Sequence, residues 1–363
     1  MENLQLKSVV TPEGNLELFL ESSTVPECSE DEVIIEVQAA PINPSDVLMM
    51  FGAADMSTAQ AVGTPDDPRI RAKIPEAMQK ATAAKVGKAL PWGIEGAGVV
   101  IATGRSAKAL MGKTVAVIGG AMYARYRVIA AKDCLRLIEG TTPREGASCF
   151  VNPQTVLGMV ETMRMEGHCA LVHTAAASNL GQMLQKLCIN EGVELVNIVR
   201  KQEHVDLLKG LGAQHVCNSS APDFFANLTD ALDETKATIA FDAIGGGGLA
   251  GQILTAMNAT RHGSSSQKQL YYYGSLDSSP AILNHSSFGA SWGLGRYGLG
   301  SFQQKIGADA AERLKQKIVS EITTTFASNY TKEVSLQEAL TMEAISVYHK
   351  CATGEKYLIN PSR

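Results

Sequence analysis

From residue 155 onward this sequence alternates between two periodicities, and that alternation limits the folds open to it more than any other feature. A helical pattern over 155–165 is followed by a short continuous apolar strand at 169–174, a helix at 182–191, a strand at 194–199 and a helix at 202–211. Further strands are readable at 215–217, 238–243 and 269–273. Short apolar runs bounded by turns and separated by helix-length segments suit strands buried on both faces. The grammar is βαβ, so the expected fold class is α/β: a doubly wound parallel sheet with helices on both sides.

The first part of the chain reads differently. The stretch 31–40, DEVIIEVQAA, is a Val- and Ile-rich strand running into the turn Pro41-Ile42-Asn43-Pro44-Ser45-Asp46, and strands follow at 96–102 and 113–118. Gly and Pro separate them, so a β-rich domain over 1–150 is expected. One helix interrupts it, starting at Pro75-Glu76-Ala77-Met78 with Pro in its first turn and running toward Lys88. At the other end, 356–359 reads as an edge strand. A chain of 363 residues exceeds what one hydrophobic core usually serves, so two domains are the natural division.

Composition removes several classes of function. The formal net charge is −5 and the basic residues are scattered, so the electrostatic footprint of a nucleic-acid binder is missing. No apolar run approaches the roughly 20 residues of a membrane span, and the opening MENLQLKSVV lacks the regions of a secretory signal. A cytoplasmic protein acting on small molecules is expected. The seven cysteines lie far apart and never form C-x-x-C, so reduced, structural thiols are expected rather than a zinc ribbon or a redox pair.

In a sheet of this kind the first strand-to-helix turn holds a dinucleotide only if backbone can approach a pyrophosphate, whose charge the helix N-terminus then stabilises. The stretch Ala175 to Gly181 meets that demand, with Ala175, Ala177 and Ser178 where the usual fingerprint has glycines and Gly181 kept for close helix packing. Candidate cofactor residues here are Ala176, Ala177, Ser178, Asn179, Leu180 and Gly181. Such an alanine run also serves as plain packing, and its place at the head of a βαβ unit is what favours the cofactor. The second strand ends Val199-Arg200-Lys201, where NAD enzymes carry an acidic residue for the ribose and NADP enzymes a basic one. Arg200 can grip a 2′-phosphate through two donors, and Lys201 and His204 add charge. The alternative is a solvated basic turn, with Glu203 weakening the case; NADPH is expected over NADH. Asn218, Ile244, Gly245, Gly246, Tyr273 and Gly274, at later strand ends, complete the candidate site on the edge where ligands lie in open α/β sheets.

The series Asn43-Pro44-Ser45-Asp46, Gly93 to Val100 (GIEGAGVV), Asn152-Pro153-Gln154-Thr155, Ala175 to Gly181 and Leu211-Gly212-Ala213 resembles the medium-chain dehydrogenase/reductase superfamily, in its zinc-free, quinone oxidoreductase-like branch. The resemblance implies a GroES-like catalytic domain over 1–150, a Rossmann NADP(H)-binding domain over 151–290, and a return to the catalytic domain over 291–363. It also implies a cleft between the domains and a homodimer, or a tetramer. It places Asn43 beside the nicotinamide, although Asn before Pro also stabilises turns. It places Thr155 near the nicotinamide ribose and amide, although Thr155 also suits a helix cap.

Zinc alcohol dehydrogenases of this superfamily carry a Cys where this chain has Asn43 and a His where it has Ile94, and the one remaining carboxylate, Glu95, holds no catalytic zinc. The four closely spaced cysteines of their structural zinc lobe are absent as well. Without a metal to polarise a carbonyl, hydride addition to a quinone or an activated alkene is the feasible chemistry, because the substrate's conjugation carries the developing charge. The expected activity is an NADPH-dependent reductase of quinones or α,β-unsaturated carbonyls. Enoyl-thioester reductases of the family place a Tyr shortly after the first motif where this chain has Ala54, which lowers that alternative. A third reading is an NADPH-binding sensor or crystallin-like structural protein. Substrate-pocket candidates are Asn43, Phe51, Trp292 and Tyr297, the last two in the Gly- and aromatic-rich segment 288–298, which also suits an oligomer contact. The long segment 52–90 is a candidate lid.

Overall fold

A computed structural model describes residues Met1–Arg363. The chain divides into two compact units, Met1–Val151 with Ala327–Arg363, and Asn152–Phe326.

The first unit opens with β1 (Glu2–Val10), β2 (Asn15–Thr24), β3 (Glu32–Pro41), α1 (Pro44–Phe51), β4 (Asp55–Ala61), β5 (Ile70–Lys73), α2 (Glu76–Thr82), β6 (Leu90–Pro91), β7 (Glu95–Thr103), β8 (Thr114–Ile118), β9 (Tyr126–Ala130), β10 (Cys134–Arg136) and α3 (Pro143–Gly146). The second contains α4 (Val151–Met165), β11 (Ala170–Thr174), α5 (Asn179–Glu191), β12 (Glu194–Val199), α6 (Gln202–Gly210), β13 (His215–Asn218), α7 (Phe224–Thr235), β14 (Ile239–Asp242), α8 (Leu249–Ala259), β15 (Lys268–Tyr272), β16 (Trp292–Arg296) and α9 (Leu299–Glu321), the last broken at Gly307. The chain then returns through β17 (Lys332–Val334), α10 (Leu336–Ala339), α11 (Met342–Tyr348) and β18 (Tyr357–Ile359).

The first unit is built on two sheets, ordered β4-β5-β2-β1-β6 and β10-β8-β7-β3-β18-β17, with β9 also paired to β3. Alternate residues of β1, β2 and β3 point inward, so Leu6, Leu18, Val33, Ile35 and Val37 share one core. Here the structure departs from the sequence reading in three places. The turn after β3 is the start of a helix: Pro44 is preset for a first helical position, and the Asp46 carboxylate turns back to accept the Asn43 N–H at 3.0 Å. The segment 52–90 is folded into the first sheet, with β5 paired to β2 and β4 to β5, so its backbone polar groups are satisfied by a ladder. The helix within it is shorter than the pattern implied, ending as α2 at Thr82 before a single 3-10 turn. Finally, the strand near the C-terminus is no edge: β18 lies between β3 and β17 and is buried throughout.

The second unit carries one sheet ordered β13-β12-β11-β14-β15-β16, every pair parallel. In order of appearance this is 3-2-1-4-5-6, the doubly wound Rossmann arrangement. Its strands are the apolar runs of the sequence, and Val172, Val196, Ala240 and Leu270 are fully buried. Residues 291–326, expected to belong to the C-terminal return, stay with this sheet. β16 pairs with β15, and Tyr297 and Phe302 pack against each other near Gly158, where a Cβ would stand 1.9 Å from the Tyr297 hydroxyl. A side chain at 158 would have to displace the Tyr297 ring.

Candidate active site

The order of the second sheet puts the break in winding between β11 and β14, whose carboxyl ends are tied together. Thr174 Oγ1 donates to Asp242 Oδ1 at 2.6 Å and accepts the Ala243 N–H at 2.8 Å. Asp242 in turn accepts the Ile244 and Gly245 N–H groups, each at 3.0 Å. Just past the carboxyl end of β11 the backbone turns through Ala175 with a positive φ of 52°. Ser178 then caps α5, its Oγ accepting the Gly181 N–H at 3.2 Å. A Cβ on Gly181 would lie 2.1 Å from the Ala176 carbonyl oxygen, so the packing that brings turn and helix together requires glycine. The same holds at the next strand ends, where a Cβ on Gly274 would meet the Ala243 carbonyl at 2.5 Å and one on Gly246 the Ser279 carbonyl at 2.5 Å.

Arg200 follows β12 at this edge; it is exposed and engages no carboxylate. Lys201 is paired to Glu203 at 3.0 Å, and His204 sits 3.7 Å from the same carboxylate. Asn218 closes β13 and turns its side chain to the Ser220 N–H. Tyr273 reaches the buried His173, its hydroxyl 2.7 Å from Nε2. Ala176, Ala177, Ser178, Asn179, Leu180, Gly181, Arg200, Asn218, Ile244, Gly245, Gly246 and Gly274 therefore follow or border carboxyl ends of one sheet. Thr155 lies a full turn inside α4 rather than at its cap.

The other pocket candidates scatter. Phe51 is buried in the first unit's core, stacked 6.1 Å from Tyr348. Trp292 and Tyr297 belong to the second unit, Trp292 on the outer strand against Phe288 and Tyr297 edge-on to Phe241 at 5.4 Å.

Asn43 is the centre of a buried polar cluster in the first unit that only partly shows in the sequence. Its Nδ2 donates to Glu95 Oε1 at 2.9 Å, and Glu95 Oε2 accepts the Phe150 and Val151 N–H groups, each at 2.9 Å. Asp46, fully buried, accepts the N–H groups of Asn43 and Ile94. On the other side, Lys356 Nζ donates to Asn43 Oδ1 at 3.0 Å and to Ser148 Oγ at 3.4 Å, and Ser148 is 2.8 Å from the Tyr330 hydroxyl. Burial pushes the Asp46 carboxyl up to about 7 and raises that of Glu95, while the Lys356 ammonium opposes both shifts. Burial lowers Lys356 itself, against the pull of Glu95 and Asp46. No group of three His, Cys, Asp or Glu side chains is close enough to hold a metal ion. Lys356, Ser148 and Tyr330 were missed in the sequence; a lysine heading a terminal strand reads as a solvated charge, and its partner is 313 residues away.

No protein-family profile matches the sequence. The mitochondrial enoyl-[acyl-carrier-protein] reductase of Xenopus tropicalis is 27% identical over 210 residues, 55% of this chain and 51% of that protein, so the match spans about half the relative's length. A Mesorhizobium loti protein assigned as an NADPH:quinone reductase is 26% identical, with a TM-score of 0.73 over 99% of this chain and 98% of that one. The quinone oxidoreductase of Escherichia coli, solved with NADPH, superposes with a TM-score of 0.70 at 17% identity, covering 99% and 100% of the two chains. With its Rossmann sheet inserted between the two parts of a GroES-like β-rich unit, the chain has the fold of these reductases and is similar to the medium-chain dehydrogenase/reductase superfamily.

Proposed function

We propose that this protein is an NADPH-dependent reductase that delivers a hydride to a quinone or an α,β-unsaturated carbonyl without the help of zinc. The observation that carries the reading is Arg200, a guanidinium left exposed and unpaired after the second strand of the dinucleotide sheet. A planar donor there suits a 2′-phosphate, and an acidic residue that would hold a ribose hydroxyl is absent. At Gly181 a Cβ would collide with the Ala176 carbonyl, so glycine lets the turn sit directly against the helix N-terminus that would meet a pyrophosphate. Ala176 to Gly181 receive the pyrophosphate, Arg200, Lys201 and His204 the adenosine phosphate, and Asn218, Ile244, Gly245, Gly246, Tyr273, Gly274 and Thr155 the remaining length. Bound there, the dihydronicotinamide supplies the hydride. Asn43 takes the polar end of the acceptor.

The zinc-independent reading rests on the donor set: Ile94 offers no donor atom, and the Asn43 amide is already engaged on both sides. The open edge of β16 with its exposed Trp292 supports a homodimer, and seven free cysteines support a reducing, cytoplasmic setting. No helix is long and apolar enough to cross a membrane, and small molecules rather than nucleic acids are the partners.

The identity with an enoyl-[acyl-carrier-protein] reductase gives one competing acceptor class, the enoyl thioesters. Fluorescence titration of the purified protein with NADPH and NADH, followed by oxidation of the preferred cofactor by small quinones, enones and a crotonyl thioester, tests both. NADPH should bind more tightly, and Arg200→Glu should weaken it by about 10–100-fold, the loss of one charge-assisted contact, with little change for NADH. Equal binding of the two cofactors by wild type would refute the assignment.

A further inference from the structure

The reading above leaves the proton unassigned: hydride addition places charge on the acceptor's oxygen, and something must neutralise it. We propose that Lys356 receives this oxyanion and hands it a proton. The inference rests on the reductase reading and on the geometry of the first unit.

β18 pairs antiparallel with β3, Leu358 opposite Pro41 and Ile359 opposite Ala40, and Ile42 N–H donates to the Tyr357 carbonyl at 3.0 Å. Continuing that register brings Lys356, just ahead of β18, opposite Asn43, two residues past β3. The ladder thus sets a cation beside the amide proposed to meet the acceptor. Two of the three Nζ donors are occupied, by Asn43 Oδ1 at 3.0 Å and Ser148 Oγ at 3.4 Å, which leaves one N–H for a ligand. The residue as a whole is half-buried rather than sealed in the core.

The surroundings keep the cation in place. Glu95 and Asp46 attract it, with Asn43 bridging the ammonium to Glu95. Cys149 lies near Glu95, its thiol pushed up by burial and so held neutral. The Tyr330 ring faces Nζ at 5.8 Å, carries the Arg144 guanidinium at 5.2 Å, and its hydroxyl is held in the protonated form by burial. A fixed, partly desolvated ammonium stabilises a developing oxyanion more strongly than water does, because it needs no reorganisation.

A dihydronicotinamide bound to the second unit would give up the hydride of its C–H bond, a C–H or O–H bond would form on the acceptor, and the acceptor's π electrons would move onto its oxygen. An Nζ–H bond of Lys356 then breaks as an O–H bond forms, leaving a neutral amine and a neutral enol or hydroquinone. Water returns a proton to the amine.

The test uses 4-nitrophenol, whose phenolate is visible by absorbance and mimics the oxyanion. Titrated against pH with the whole protein and NADP+, the phenol bound to wild type should ionise about 1–3 pH units lower than that bound to Lys356→Met. Lys332→Met, altering an exposed lysine on β17, should behave as wild type. Identical titrations for wild type and Lys356→Met would overturn the proposal. If that variant does not fold, Lys356→Arg keeps the charge but cannot release a proton. It should capture the phenolate yet turn over enones at least about 100-fold more slowly; a rate within threefold of wild type would overturn the proton transfer. Phenolate capture without any NADPH oxidation would sustain the oxyanion site and remove the reductase reading. Turnover indifferent to Lys356 would do the reverse.

Discussion

His173 makes this protein's stability depend on pH in a way that can be worked out in advance. It sits inside β11, fully buried, with Nε2 bonded to the Tyr273 hydroxyl at 2.7 Å and Nδ1 without a partner. Burial disfavours the imidazolium and lowers its pKa from 6.5 to about 3. In the unfolded chain the ring takes a proton as the pH falls through about 6.5, while in the fold it stays neutral down to about 3. The unfolded state therefore binds the extra proton across that window, and stability falls as the pH falls. Each pH unit costs about 1.4 kcal/mol, so between pH 6.5 and 5 this one group removes about 2 kcal/mol. Other groups titrate too, and the comparison is with His173→Phe/Tyr273→Phe, which replaces both partners by apolar rings and leaves neither unpaired. Urea unfolding of both proteins at pH 7 and pH 5 gives the four free energies required. Wild type should lose about 2 kcal/mol more than the double variant over that step. Parallel losses would mean that the ring is charged in the fold or is not desolvated, and would refute the argument.

Asn43→Leu should cost about 1.5–3 kcal/mol, because it strips one donor from the buried Glu95 carboxylate and the acceptor from Lys356; an unchanged urea midpoint would refute it. Gly181→Ala drives a methyl to within 2.1 Å of the Ala176 carbonyl and should cost about 1–3 kcal/mol together with weakened NADPH binding. An alanine variant with wild-type melting and NADPH affinity would remove the turn from the proposed cofactor site.

The dinucleotide sheet was legible in the sequence because its signals are local. An apolar strand buried on both faces carries its own signature, and β12 spans the residues read from the sequence, Glu194–Val199. Arg200 and Gly181 could be singled out because their chemistry depends on their place after a strand or within a turn, which short-range pattern supplies. The first unit was less legible. β1, β2 and the strands of segment 52–90 went unread because their half-exposed faces dilute the alternation. The placement of β18 between β3 and β17, and of residues 291–326 with the Rossmann sheet, was decided by which open edge each strand could pair with.

The sequence by itself determined the fold class, the winding of the parallel sheet and the residue types at its strand ends, because propensity and periodicity act over a few neighbours. Only the tertiary structure decided that Lys356 meets Asn43 across 313 residues and that Asp46, Glu95 and His173 lie out of water. Ladder register and desolvation belong to no single segment, and they set both which groups touch and what charge each can carry.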